Sequence, residues 1–429
     1  MPSAPAQSLQ TRVLHADAPD FEKEPNHPAA PIISLSTTFR HPHPDTPLAR
    51  TARGDMVAHP EDPPTHVYSR YTQGTNVRTE KVLTAALGGY ALTYSSGLNA
   101  ALAALTALMP ATIAIRKGYF GVHEVVSLYS RGRDVKVIDL DDEYPSSQGP
   151  PVADGSKYHT GATLVWLETP LNPTGEARDI EHYAKRAHDA GGYITVDATF
   201  APPPLQNPFN QQADIVMHSA SKYLGGHTDV LSGVLATQEH PLFKQLWAER
   251  AVHGGTLGSL ESFLLLRSLR TLPLRVRQQS KTAMQLAHWL HSLTAGQTPL
   301  PGTPSEITGG NAVRRVWHSS LQPRSDYETE LPDAKESRVF DPKQQMPGGG
   351  SPTFGVLMKD ERIAKYLPHT VELFVPATSL GGVESLMEQR EISSPSEDPR
   401  VVRISIGLEE FDDLRADVTS GLIAVLQAQ

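Results

Sequence analysis

From Thr79 onward the chain alternates short apolar runs with intervals of helical character, and this rhythm constrains its fold more than any other feature. Residues 135–140, 162–168, 192–200 and 213–218 have the length and apolar content of strands. Residues 180–190 form a helical interval closed by Gly191-Gly192, which suits a helix C-terminus. The alanine-rich stretch 99–115 is interrupted by Pro110 and is shorter than the roughly 20 residues a membrane-spanning helix needs. It predicts a buried helix followed by a strand. Strands alternating with helices imply an α/β fold with a mainly parallel sheet covered on both faces. Ligands of such sheets sit beyond the carboxyl ends of the strands.

A chain of 429 residues predicts more than one structural unit. We expect an N-terminal arm over 1–66, an α/β ligand-binding domain over 67–272 and a smaller α+β domain over 273–429. The arm is proline- and histidine-rich, with 31–39 as an ordered island and the first 25 residues either extended or a mobile tail. Residues 258–270 and 276–293 read as helices leading into the last domain. The polar stretch 319–351, which closes on Gly348-Gly349-Gly350 and Ser351, reads as a surface insertion. A net charge of −9 without a basic cluster argues against a nucleic-acid partner. With no cysteine there is no disulfide, thiolate metal site or thiol nucleophile, and no metal is expected. Residues 1–10 lack a secretory pattern, so we expect a cytoplasmic protein without a membrane partner.

The chemistry concentrates at 213–227, where an apolar run leads to Ser219, Ser221 and Lys222 and then to a Gly-Gly turn. Lysine carries an aldehyde cofactor only where burial and nearby charge let it shed its proton. The adjacent hydroxyls suit a phosphate. Twenty-five residues earlier (222 − 197), Asp197 ends another apolar run. A carboxylate there can pair with a protonated pyridine nitrogen, the arrangement that pyridoxal 5′-phosphate uses. Either residue alone is an ordinary surface lysine or turn aspartate. Together, in this order and setting, they indicate that cofactor.

Other segments join them. Ser95-Ser96-Gly97-Leu98 precedes the alanine-rich helix, and a glycine turn at a helix N-terminus offers free N–H groups to an anion. Alone it would be an N-cap. With Tyr68-Ser69-Arg70, Tyr119-Phe120-Gly121, Trp166-Leu167-Glu168-Thr169-Pro170-Leu171-Asn172, Ser379-Leu380-Gly381-Gly382 and Val401-Val402-Arg403, the chain resembles the Cys/Met-metabolism, or trans-sulfuration, enzymes. The likeness runs from about Pro31 to the C-terminus.

That resemblance implies a fold-type-I enzyme dependent on pyridoxal 5′-phosphate. It assigns the cofactor lysine and proton carrier to Lys222, the ring-nitrogen partner to Asp197 and the stacking ring to Tyr119. It assigns the phosphate to Gly97, Leu98, Ser219 and Ser221, with Tyr68 and Arg70 serving the adjacent subunit of a homotetramer built from two dimers. Asn172 is expected near the ring hydroxyl. Arg403, Ser379 and Glu168 are expected at the amino-acid substrate. Three departures bear on specificity: serine replaces threonine at 221, the segment after Arg70 is longer and lacks proline, and Thr378 stands where many γ-eliminating members have glutamate. The implied reaction is γ-replacement or γ-elimination on a sulfur amino acid or an activated homoserine. A β-lyase, a non-catalytic relative and an aminotransferase are the alternatives.

Overall fold

The structure, a computed structural model, describes residues 7–18, 30–49, 59–146, 149–323 and 340–428. Its larger sheet contains β1 (Tyr90–Tyr94), β2 (Thr112–Ile115), β3 (Lys136–Ile138), β4 (Thr163–Glu168), β5 (Tyr193–Asp197), β6 (Ile215–Ser219) and β7 (Gly233–Thr237). They lie in the order β1-β7-β6-β5-β4-β2-β3. Strands β3, β2, β4, β5 and β6 are parallel, whereas β7 runs against both its neighbours.

Both faces of this sheet are apolar because helices cover both. Val165, Leu167, Ile194, Val196 and Val216 enter one core, which Tyr183 and Ala184 of α5 (Ile180–Asp189) and Leu265 and Leu266 of α7 (Ser259–Leu269) complete. Leu164, Trp166, Tyr193, Ile215 and Met217 face the other, against α3 (Gly97–Leu108), α4 (Phe120–Ser130) and α6 (His240–His253). Two-sided burial is why these strands read as unbroken apolar runs rather than alternating ones. The expected helix and strand within 99–115 are α3 and β2. Helix α8 (Leu272–Ser292) starts earlier than the sequence suggested, because Pro273 fits the first helical turn.

The second sheet is antiparallel, in the order β10-β11-β9-β8, from β8 (Val313–Trp317), β9 (Thr353–Met358), β10 (Leu386–Gln389) and β11 (Val401–Ser405). It shares a core with α8, α9 (Glu361–Thr370) and α10 (Phe411–Gln427).

Two expectations need correction. The N-terminal region is not wholly irregular: α1 (Leu9–His15) docks on α2 (Gly74–Leu87), and nearby Asp17 pairs with both Arg78 and Arg270. Residues 1–6 and 19–29 lie outside the described residues. Nor is all of 319–351 a surface insertion. Residues 324–339 are undescribed, but Gln345 is buried and bonds Ile180 N, Arg178 O and Gln206. Ser351 Oγ donates to Phe200 O. The glycines there serve close packing: a Cβ on Gly348 would sit 2.0 Å from the Pro204 carbonyl oxygen.

Candidate active site

Parallel register aligns the ends of β4, β5 and β6. Glu168 is paired with Asp197, and Asp197 with Met217, two residues before Ser219 closes β6. These ends open on a cavity of about 460 Å³ that also takes in Ser96, Gly97 and Leu98 from the start of α3, Tyr119 and Phe120 from α4, and Ser379 and Arg403 from the smaller domain. Lys222 lines it from the turn after β6.

Lys222 Nζ donates to Ser379 Oγ at 3.0 Å, bridging the two domains. Burial lowers its pKa first and the positive charge of Arg403 second, with Glu388 opposing them. Ser379 has φ +108°, in the left-handed region that a residue with a Cβ rarely adopts. Its carbonyl accepts from Arg403 Nη2 at 2.9 Å, so the strained residue touches the lysine on one side and the arginine on the other.

Asp197 is buried, and its Oδ1 accepts from the backbone N and Oγ1 of Thr199 at 3.0 and 2.5 Å. Thr199 Oγ1 in turn accepts from Ser219 N at 2.9 Å. Glu168 receives the backbone N–H groups of Tyr119 and Asn172, each at 2.7 Å. Burial pushes both carboxyls up from their ordinary range, and the Asp197 charge adds to the rise at Glu168. Two desolvated carboxyls on adjacent strand ends resist ionising together, so the site favours a cation near Asp197.

Pyridoxal phosphate meets a matching donor set. Gly97 N and Leu98 N lie in the first turn of α3, where the helix supplies no acceptor. A Cβ on Gly97 would lie 3.1 Å from Ser219 Cβ and 3.2 Å from Ser219 Oγ, so glycine lets the turn close over that hydroxyl. Tyr119 is partly exposed at the opening. Ser221 also lines the cavity, but its hydroxyl bridges Ser232, donating to its O at 3.2 Å and accepting from its N at 2.9 Å. Its proton is thereby committed to the turn, unlike that of Ser219.

Tyr68 and Arg70 do not line this cavity. Arg70 Nη1 donates to Ala251 O at 3.2 Å, with its guanidinium 4.9 Å from the Tyr71 ring centroid and 5.4 Å from that of Tyr68.

Residues 10–423 match the profile of the family described as Cys/Met metabolism PLP-dependent enzyme. The chain belongs to that family. As a member it is a PLP-dependent enzyme of fold type I. Cystathionine gamma-lyase of Saccharomyces cerevisiae is 31% identical over 413 residues, 91% of either chain. The yeast structure superposes with a TM-score of 0.75 at 27% identity, covering 99% of this chain and all of that one. Cystathionine beta-lyase of Bacillus subtilis is 30% identical over 83% of this chain and 85% of its own. Relatives of different reactions thus stand at almost equal distance.

Four site residues escaped the sequence reading. Thr199 carries the hydrogen bonds between Asp197 and Ser219, and its signal was an Asp-x-Thr spacing. Arg390 and Ser393 line the cavity, and Glu388 lies behind it. The buried Glu388 Oε2 accepts from Arg403 Nη2 at 2.9 Å and from Arg390 Nη1 at 2.8 Å. Asn172 Oδ1 accepts from Arg403 Nη1 at 3.1 Å. Asn172 therefore steadies that arginine, a contact the expected role beside the ring hydroxyl did not include. Burial and the neighbouring charge of Arg390 hold the pKa of Arg403 down to about 10, so it stays a cation.

Proposed function

We propose that this enzyme acts by γ-replacement or γ-elimination on a sulfur amino acid or an activated homoserine, with Lys222 as its proton carrier. One observation carries the proposal: a lysine of lowered pKa shares a buried cavity with Arg403 and Asp197, and Ser379 links it to the arginine. Bound there, pyridoxal phosphate supplies an aldehyde and an electron-accepting ring. Neutral Lys222 removes the Cα proton and, for γ chemistry, carries a second proton at Cβ. Arg403 holds the substrate carboxylate so that the Cα–H bond points at the lysine. Asp197, fixed through Thr199, would keep positive charge on the ring nitrogen. Gly97, Leu98 and Ser219 would hold the phosphate, and Tyr119, at the cavity opening, would cover the ring.

The placement of Tyr68 and Arg70 outside their own cavity supports their service to a neighbouring subunit, in a dimer or a homotetramer of two dimers. Among the described residues no helix is long and apolar enough to cross a membrane.

The deciding experiment incubates the holoenzyme with cystathionine, O-acetylhomoserine or O-succinylhomoserine, with and without cysteine, and identifies the products by mass. We expect 2-oxobutanoate or a condensed amino acid. Pyruvate and homocysteine from cystathionine, without 2-oxobutanoate, would replace the proposal with β-cleavage.

A further inference from the structure

A second buried cation stands beside Arg403. Arg390 begins the helical turn that follows β10; it is 4% exposed and lines the cavity. The two guanidiniums share a single oxygen of Glu388, so the three charges sum to +1. Burying two like charges on one counter-ion is expensive unless a ligand makes use of them.

A count of donors locates that use. Each guanidinium has five N–H groups. Arg403 gives three to Asn172, Ser379 and Glu388, which leaves two, as many as one carboxylate needs. Arg390 gives both Nη1 hydrogens, to Glu388 and to Ser393 Oγ at 2.8 Å. Its Nε is buried without an acceptor, and Nη2 makes no hydrogen bond among the described residues. Nε is closed off from the cavity, so Nη2, with both its N–H groups unused, is the donor left for a ligand oxygen. Arg390 differs from the wholly buried Arg250 in lining the cavity, where its unused Nη2 can make a charge-assisted bond to a ligand oxygen. Thr378 and Ser393, which also line the cavity, are neutral and would not repel an anion.

We propose that Arg390 selects amino acids carrying a second carboxylate at the far end of the side chain or leaving group, with Arg403 holding the α-carboxylate, an assignment that rests on the function proposed above. Arg390 is in this view a specificity residue that takes no part in proton transfer.

The test titrates the holoenzyme with L-2-aminoadipate and with L-norleucine, which differ at the chain end by a carboxylate in place of a methyl. Neither has a leaving group, so binding is read from the cofactor absorption band, with calorimetry as a second readout. The wild type should bind aminoadipate about tenfold to a hundredfold more tightly, the range for a charge-assisted pair. In Arg390→Met the ratio should fall to about one, and Arg390→Lys should keep only part of it. Absence of the preference in the wild type overturns the proposal whether or not the variants fold. If Arg390→Met weakens both ligands equally, the arginine grips the α-carboxylate and the proposal is equally wrong. Product analysis on the three candidate substrates is independent of this ratio, so failure of the reaction assignment would be seen separately.

Discussion

The two walls of the cavity are built by different means. On the cofactor side, Glu168, Asp197, Ser219 and Lys222 sit at the ends of neighbouring parallel strands or in the turn just after them. Each is placed by its own strand, and parallel packing aligns them. On the substrate side, Arg403 and Glu388 are direct partners across the antiparallel β10·β11 ladder, and Arg390 follows just beyond β10. There the working unit is a cross-strand pair whose existence depends on register. The first wall brings together residues at the ends of separate strands, with Thr199 bonded to both Asp197 and Ser219. A one-residue slip would turn Glu388 away from Arg403 in the second.

The strongest way to break this contrast is at the lysine. Lys222→Ala should lower turnover by about a thousandfold or more, and borohydride should no longer fix cofactor to the chain. Peptide mapping of the fixed wild type should find Lys222; another lysine would remove it from the mechanism. Arg70→Ala should be nearly inactive too. Mixed dimers of the two variants, demonstrated by mass, should regain partial activity, because one site then has its own Lys222 and its neighbour's Arg70. No recovery would place Arg70 within its own subunit's function.

Asp197→Asn should keep the cofactor and cut Cα proton exchange by about a hundredfold or more, since an amide cannot hold positive charge at the ring nitrogen. Exchange in deuterated buffer at the parent rate would reduce Asp197 to a structural group.

Glu388→Gln sharpens the other side. It removes the charge shared by two buried guanidiniums and should cost about 3 kcal/mol of stability. Urea unfolding at fixed protein concentration measures this, and an unchanged midpoint would show that the triad contributes little.

The smallest effect is one of pH. In the cofactor-free protein the folded-state pKa values of Glu168 and Asp197 lie above the ordinary 4.5 and 3.8. The folded state therefore holds protons that the unfolded chain releases. Their contribution to stability is complete below the ordinary values and is lost as pH rises through the raised ones. Melting temperature should fall from acidic to neutral pH, less steeply in Asp197→Asn. Equal slopes would show that Asp197 ionises freely when the cofactor is absent.

The same contrast explains what the sequence disclosed. The parallel strands are buried on both faces, so 162–168 and 213–218 appear as continuous apolar runs, and Lys222 and Asp197 stand out at their ends. Strands β1 and β7 went unrecognised, because Tyr90–Tyr94 and Gly233–Thr237 are short and lie beside glycines without a motif. Within the expected α+β domain the individual strands were not located, since antiparallel pairing between β9 and β11 joins residues nearly fifty positions apart. Glu388 lies near the end of a short strand and Arg390 opens the helical turn after it, in a stretch too polar and too short to carry a strand pattern. Nothing local assigned them to Arg403.

The place of Arg390 bears on how such an enzyme could diverge. Glu388 and Arg403 are locked into a ladder, whereas Arg390 opens the connector that leads from β10 to β11. Insertions, deletions and substitutions in a connector leave a ladder intact far more often than changes within it. The proposed grip of Arg403 on the α-carboxylate, common to every amino acid, would thus be inherited as a fixed part. The group proposed to read the far end of the substrate could be exchanged during descent, or by an engineer, without renegotiating that grip.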